Sequence, residues 1–342
     1  MEQCRTTVAK NLIFLCLVIT GIFLSCKTFS NELSSISLVQ RMQIKKLKNG
    51  KMSEMPRFNR QPTYPWKGDL QCERFSVQLA EKDSLIKWPL TSFPGSGVTW
   101  TRQMIEGITG FYTGSVYYSD PSPTLNRDGN VTDNTDDPLC GCTILDKDHE
   151  ATVQVGKQGL DAYFELLHRL GHAGIVHQQY DRRGVLLLRN PMDVIFSFRN
   201  WQLAGKTGNA SPDAFKGPEW EEIIDYVAYA WADHAIRWIE QIDQGTVLFY
   251  ERLLGKTAEN ELRRLLNIIG FKPIDSDRMK CALSHRNRTD HKRHIKNKML
   301  LEPKHRIKLM KSIHQVQQSL RRKGWPTLPI YLYDVHSPDG KI

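Results

Sequence analysis

The chain has 342 residues, a net charge of +10 and seven cysteines. That length holds one large α/β domain or two small ones with ample core, and the charge calls for anionic partners. The cysteines are too few for a disulfide scaffold and lack the paired spacing of a zinc site, and the basic residues do not interleave with aromatics as in a nucleic-acid module.

Residues 1–10 carry Arg5 and Lys10, and residues 11–26 form an uncharged apolar run. With its flanks that run suits the thinner bilayers of the secretory pathway. A cleaved signal peptide competes with an uncleaved anchor. No small-x-small cleavage site follows the run, which favours a signal-anchor with a short cytosolic tail. Residues 27–66 are polar, basic and aperiodic, as expected of a stem. Pro62 and Pro65 mark where the folded domain begins.

Ile86–Phe93 has the composition of a short buried strand, stopped by Pro94-Gly95. From Val98 the apolar residues Trp100, Met104, Ile105 and Ile108 recur at helical spacing. A strand, a glycine turn and a helix N-terminus aim backbone N–H groups at an anion. The candidate binding residues here are Gly95, Ser96, Gly97, Val98, Thr99 and Trp100, with Thr101 adding a hydroxyl. There is no Gly-Lys-Ser/Thr to engage β- and γ-phosphates with Mg²⁺, so this is not a nucleoside-triphosphatase loop.

Residues 110–120 are aromatic and glycine-punctuated, and residues 121–139 are a polar loop containing the glycosylation sequon at Asn130. The segment from Cys140 to Glu150 reads as a short strand running into Lys147 and His149. An imidazole titrating near neutrality is a suitable base for an acceptor hydroxyl, and Lys147, two residues before it along a strand, faces the same side. A helix is expected over 160–170, and His172 and His177 are alternative bases.

Val185–Leu188 has the uniform apolarity of a parallel strand buried on both faces. Asn190 is placed to cap a helix starting at Pro191. Ser197, about two turns on, returns to the side of Arg189. An arginine fork there suits a phosphate. Further on, helices are expected over 220–239, 259–269 and 302–322. The stretch from Thr246 to Glu251 is expected to be a buried strand with Tyr250 beside a base ring. Residues 285–298 form a basic run that includes Arg286, Arg288, Lys292, Arg293 and a second sequon at Asn287, expected to be unmodified. Cys72, Cys140, Cys142 and Cys281 are oxidisable in a secretory lumen, and the proximity of Cys140 to Cys142 leads us to expect separate partners.

The string Phe93-Pro94-Gly95-Ser96-Gly97-Val98-Thr99-Trp100 resembles the 5′-phosphosulfate loop of sulfotransferases, P-x-S-G-x-T-W, with Gly95 where the cytosolic enzymes usually have lysine. Arg189-Asn190-Pro191 with Ser197 resembles their 3′-phosphate motif, R-N-P-x-D-x-x-x-S. Lys147-Asp148-His149 partly matches their Lys-Thr-His. The continuation from Ile105 to Ser115 looks closest to the WSC-domain-containing (WSCD) family, although these cysteines cannot build the Cys-rich WSC modules. The resemblance spans roughly residues 67–335. It implies a P-loop-like parallel sheet with helices on both faces, preceded by an anchor and stem. It also implies 3′-phosphoadenosine 5′-phosphosulfate (PAPS) as sulfuryl donor, no metal, and a glycan acceptor, with sialic acid among the candidates, in the Golgi lumen. Within it, the loop binds the 5′ side, Arg189 and Ser197 the 3′-phosphate, Trp100 and Tyr250 the adenine, and Arg286 and Arg288 close over the 3′ end. His149 is the base, and Lys147 supplies the charge missing at Gly95. The rivals are a small-molecule kinase with a degenerate loop and a catalytically silent nucleotide- or glycan-binding protein on the same fold.

Overall fold

The computed structural model describes residues 62–116, 122–124, 140–149, 180–205, 208–286 and 301–333, all within one compact unit, Phe58–Ile342. The apolar run 11–26, most of the stem, the helix expected over 160–170, His172, His177, Arg288, Lys292, Arg293 and both sequons lie outside these residues. Among the described residues, no helix is long and apolar enough to cross a membrane.

The described chain runs β1 (Pro89–Ser92), α1 (Val98–Thr109), β2 (Gly114–Ser115), β3 (Asp146–Asp148), β4 (Arg183–Leu188), α2 (Pro191–Ala204), α3 (Pro218–Gln241), β5 (Gln244–Phe249), α4 (Tyr250–Leu254), α5 (Ala258–Ile268), α6 (Ser276–Ser284) and α7 (Pro303–Lys323). The strands form one sheet in the order β2-β3-β1-β4-β5, with every pairing parallel.

Because side chains alternate across a strand, β4 and β5 feed two cores. Leu186, Leu188, Val247 and Phe249 pack with residues of α2, α3 and α7. Val185, Leu187 and Leu248 pack with Leu90 of β1 and residues of α1, α5 and α6 on the opposite face. This is the expected parallel sheet with helices on both faces.

Several expectations need correction. The first strand begins at Pro89 rather than Ile86, whose side chain is 59% exposed because it precedes the sheet. β5 ends at Phe249, so Tyr250 and Glu251 open a helix rather than close a strand. Helix α6 was not expected. It is short, but Asp275 accepts from the backbone N–H of Asp277 and Arg278, a proper N-cap.

Cys140 is bonded to Cys142, not to a separate partner. Backbone bonds from Asp83 N to Cys140 O and from Leu85 N to Gly141 O fold the short turn, and its Cα atoms end 5.2 Å apart, a distance a disulfide spans. The other bridge joins Cys72 to Cys281 of α6.

Candidate nucleotide and sulfuryl-transfer site

Strand register brings the motifs level at one edge of the sheet. Ser92 pairs with Leu187, Thr91 with Asp148 and Leu188 with Phe249. Each of these strands then ends within a residue or two. The loop after β1, His149 after β3, Arg189 after β4 and Tyr250 after β5 therefore emerge side by side. In open α/β sheets ligands bind at this carboxyl edge.

Of the helices that start here, α1 and α2 follow the first two motifs, and their N-termini differ. At α2 the side chain of Asn190 accepts from Met192 N, Pro191 fills the first turn and Asp193 adds negative charge, so that end is already satisfied. At α1 the capping residue is Gly97, with no side-chain cap bond and no acidic residue in the first turn. The first N–H groups of a helix have no acceptor within it, and together they carry partial positive charge. The amides of Val98, Thr99 and Trp100 thus suit an incoming anion. The Ser96 amide instead closes the turn on Phe93 O at 3.2 Å. The Ser96 hydroxyl is buried and makes no hydrogen bond among the described residues.

Both loop glycines are required. Gly95 has φ +86°, and a Cβ there would stand 3.1 Å from Phe198 N and 3.2 Å from Ser197 Cβ, against α2. Gly97 has φ +88°, and a Cβ would fall 2.5 Å from Cε2 of Tyr250. Gly97→Ala combines left-handed strain of about 1–2 kcal/mol per residue with displacement of the Tyr250 ring. We expect the protein to melt several degrees lower, a change that thermal unfolding would measure; an unchanged melting temperature would show that the ring yields without cost.

Arg189 holds the loop and α2 together. Its Nη1 donates to Gly95 O at 2.8 Å and to Ser197 Oγ at 3.1 Å. Its guanidinium lies 4.5 Å from the centroid of the Tyr250 ring, a cation–π contact. Tyr250 in turn meets Trp100 edge-on at 5.3 Å, and Trp100 Nε1 donates to Arg286 O at 2.7 Å. The structure therefore gathers Gly95, Gly97, Trp100, Arg189, Ser197 and Tyr250. Arg286 touches this group through its carbonyl, while its guanidinium is directed to Leu254 O at 3.4 Å.

His149 is buried, and its Nδ1 lies 2.6 Å from Ser92 O. A carbonyl only accepts, so Nδ1 carries the proton and the basic lone pair sits on Nε2. Ser92 Oγ is 3.3 Å from the same nitrogen. Lys147 is also buried and pairs with Leu90, one pleat further from the loop. It lies on the α1 side, as does His149.

Three features were missed in the sequence. Ser92 orients the imidazole through its carbonyl, which no side-chain pattern could signal. Arg102 and Glu106 are fully buried beside Thr113, to which Arg102 Nε donates at 2.7 Å. The Glu106 carboxylate accepts from Thr113 N and Thr124 N, both at 3.0 Å, pinning the segment after α1.

The third is Glu251. Its Oε1 accepts from Asn190 N at 2.7 Å, and burial raises its carboxyl from 4.5 to about 7 against the opposing pull of that bond and of Arg189. A separate cleft of about 560 Å³, lined by Arg263, Asn267, Lys272, Pro273 and Ile274, involves none of these residues.

No protein-family model matches the chain. Over 198 residues it is 29% identical to WSCD family member CG9164 of Drosophila melanogaster and 28% identical to WSCD family member GA21586 of Drosophila pseudoobscura pseudoobscura. Over 197 residues it is 28% identical to WSCD family member AAEL009094 of Aedes aegypti. Each match takes in 57% of this chain and 53% of the relative, so the chain spans about half the length of the curated relatives it matches.

Among solved structures, it is similar to mouse sulfotransferase SULT7A1 complexed with PAP, with a TM-score of 0.43 and 13% identity over 72% of this chain and 87% of that one. It is also similar to a sulfotransferase from Alicyclobacillus acidocaldarius, with a TM-score of 0.37 and 12% identity over 69% and 96%. By sequence the chain is WSCD-like, similar over more than half its length to members of that family.

Proposed function

We propose that this chain is a sulfotransferase that moves a sulfuryl group from PAPS to a hydroxyl of a glycan, with sialic acid a candidate acceptor. The observation that carries this reading is Arg189 Nη1, bonded at once to Gly95 O and Ser197 Oγ. It joins two motifs far apart in sequence into one anion-binding corner. The donor fits the residues present, because the N-terminus of α1 has neither a side-chain cap nor an acidic residue in its first turn, and the buried Ser96 hydroxyl has no hydrogen-bond partner among the described residues. When bound, PAPS supplies the activated sulfuryl group.

In this reading the amides of Val98, Thr99 and Trp100 bind the 5′ side. Arg189 and Ser197 hold the 3′-phosphate, and Trp100 and Tyr250 border the adenine. Arg286 and Arg288 flank the 3′ end, and Lys147 places positive charge near the transferred group. His149 Nε2 accepts the proton from the acceptor hydroxyl. Preorganised donors of this kind lower the barrier because they need no reorientation as charge develops.

The reading is tested by incubating the protein with labelled PAPS and a glycan library; transfer to at least one glycan is expected. His149→Ala should cut turnover by roughly a hundredfold or more while leaving binding of adenosine 3′,5′-bisphosphate unchanged. Full turnover in that variant would assign the proton to another base.

A second reading, a catalytically silent binding protein on this fold, is favoured by Gly95, whose missing side chain leaves the loop without its own cation and has no room to be restored. Nucleotide binding with no transfer to any acceptor would establish it. We place the protein in the Golgi membrane, anchored by residues 11–26 with its domain in the lumen. The Cys72–Cys281 bridge supports an oxidising compartment.

A further inference from the structure

We propose that Glu251 is a positioning residue of the anion corner, and that its carboxyl takes up a proton when a phosphate group docks on Arg189 and releases it when the phosphate leaves. The proposal rests on the assignment of Arg189 to a phosphate ester.

The geometry comes first. Pairing of Leu188 with Phe249 puts the two residues after β4 beside the two after β5. Tyr250 thereby receives Arg189 on its ring, and Glu251 receives the Asn190 N–H. Asn190 is also the cap of α2, the helix that presents Ser197. A change at the Glu251 carboxyl therefore acts on the backbone that carries Arg189 and on the start of α2 together.

Only Oε1 is engaged. Oε2 is shielded from solvent and makes no hydrogen bond among the described residues, although the residue as a whole is only half-buried. Burying an ionised carboxylate with one oxygen unpartnered costs far more than burying the neutral acid in the same place.

The charged and titratable groups acting on Glu251 come from three further elements. Arg189 at the end of β4 favours its charge, and Asp193 of α2 opposes it. The Tyr333 hydroxyl near the C-terminal end is held un-ionised by burial, then by Glu251 and Asp193, so it adds no charge at neutral pH. Within α4, Arg252 is engaged by Glu261 at 3.6 Å. Against burial, the Glu251 charge is held by backbone N–H groups, that of Asn190 foremost, and, among the described cations, by Arg189. A phosphate competes for that same cation and brings negative charge of its own. Both effects favour the protonated carboxyl, and the proton comes from solvent.

Titration calorimetry of the full chain with adenosine 3′,5′-bisphosphate, repeated at pH 7 in buffers of different ionisation enthalpy, counts the protons. Glu251→Gln supplies the reference, which cancels the ligand's own phosphate titration. With a carboxyl near half-protonation in the free protein, wild type should take up about half a proton more per nucleotide than Glu251→Gln. A purely structural role would change affinity without changing that number.

Thermal melts at pH 5, where both side chains are neutral, show whether the variant is folded. Should it not be, wild type alone suffices with inorganic sulfate, an anion that does not titrate. Uptake of protons on sulfate binding supports the proposal, and its absence overturns it. Equal proton numbers in wild type and variant overturn the Glu251 assignment alone. Failure of wild type to bind the nucleotide overturns the sulfuryl-donor reading, and this proposal with it.

Discussion

Arg189→Ala is expected to weaken binding of adenosine 3′,5′-bisphosphate by roughly a hundredfold or more. Two terms add. A charge-assisted bond to phosphate contributes about 1.5–3 kcal/mol, and a bidentate arginine can make two such bonds. The same guanidinium also anchors Gly95 O and Ser197 Oγ and rests on Tyr250. Its removal therefore loosens the loop, the head of α2 and the ring together. Arg189→Lys should recover little, because a point ammonium cannot reproduce the planar fork or its stacking. The measurement is calorimetry at fixed ionic strength, with a thermal melt to confirm folding. Wild-type affinity in the alanine variant would remove the phosphate from this corner.

The second large effect concerns stability. Glu251→Gln should stabilise the protein by about 3 kcal/mol at pH 8 and by almost nothing at pH 4.5. The carboxyl titrates at about 7 in the folded protein and at 4.5 ordinarily. The folded state therefore holds this proton more tightly than the unfolded one. Its contribution is most favourable below 4.5, declines as pH rises from 4.5 towards 7, and is flat beyond. Each unit of that gap corresponds to about 1.4 kcal/mol. Glutamine keeps the carbonyl that accepts from Asn190 N and never ionises. Paired melting curves at pH 8 and pH 4.5 decide the matter, with a shift of several degrees expected at the higher pH alone. An equal shift at both values would point to packing rather than charge. A group that costs stability at working pH is more readily understood as part of a site than as part of a core.

Features written in neighbouring residues were legible in the sequence. The change from strand to helical spacing across Phe93–Val98, with two glycines between, placed α1 to the residue, and Asn190-Pro191 placed the head of α2 in the same way. Arg189 and Ser197 could be paired because a helix returns to the same side after two turns.

Features decided by contacts between distant segments were not legible. Whether Tyr250 ends a strand or opens a helix depends on a ring that must settle over Gly97. The role of Glu251 depends on β4 and β5 being neighbours, which no local pattern states. Helix α6 offers one capping residue and three buried side chains, Met279, Cys281 and Ala282, too few for a periodicity to show. The bond between Cys140 and Cys142 follows from a turn shaped by Asp83 and Leu85, outside the tripeptide itself. Arg286 was chosen for its charge, yet it is its carbonyl that meets Trp100.

Trp100 reaches across 186 residues to the Arg286 carbonyl, and Cys72 across 209 to Cys281. Closing such large loops is entropically costly and slow. As the polypeptide leaves the ribosome, the glycine turn and its helix are made from neighbouring residues, but the wall against the indole is synthesised 186 residues after it. A growing chain therefore carries a half-built cradle until residues 281–286 have emerged, and the corner is complete only once the bridge to α6 has tied Cys72 to Cys281.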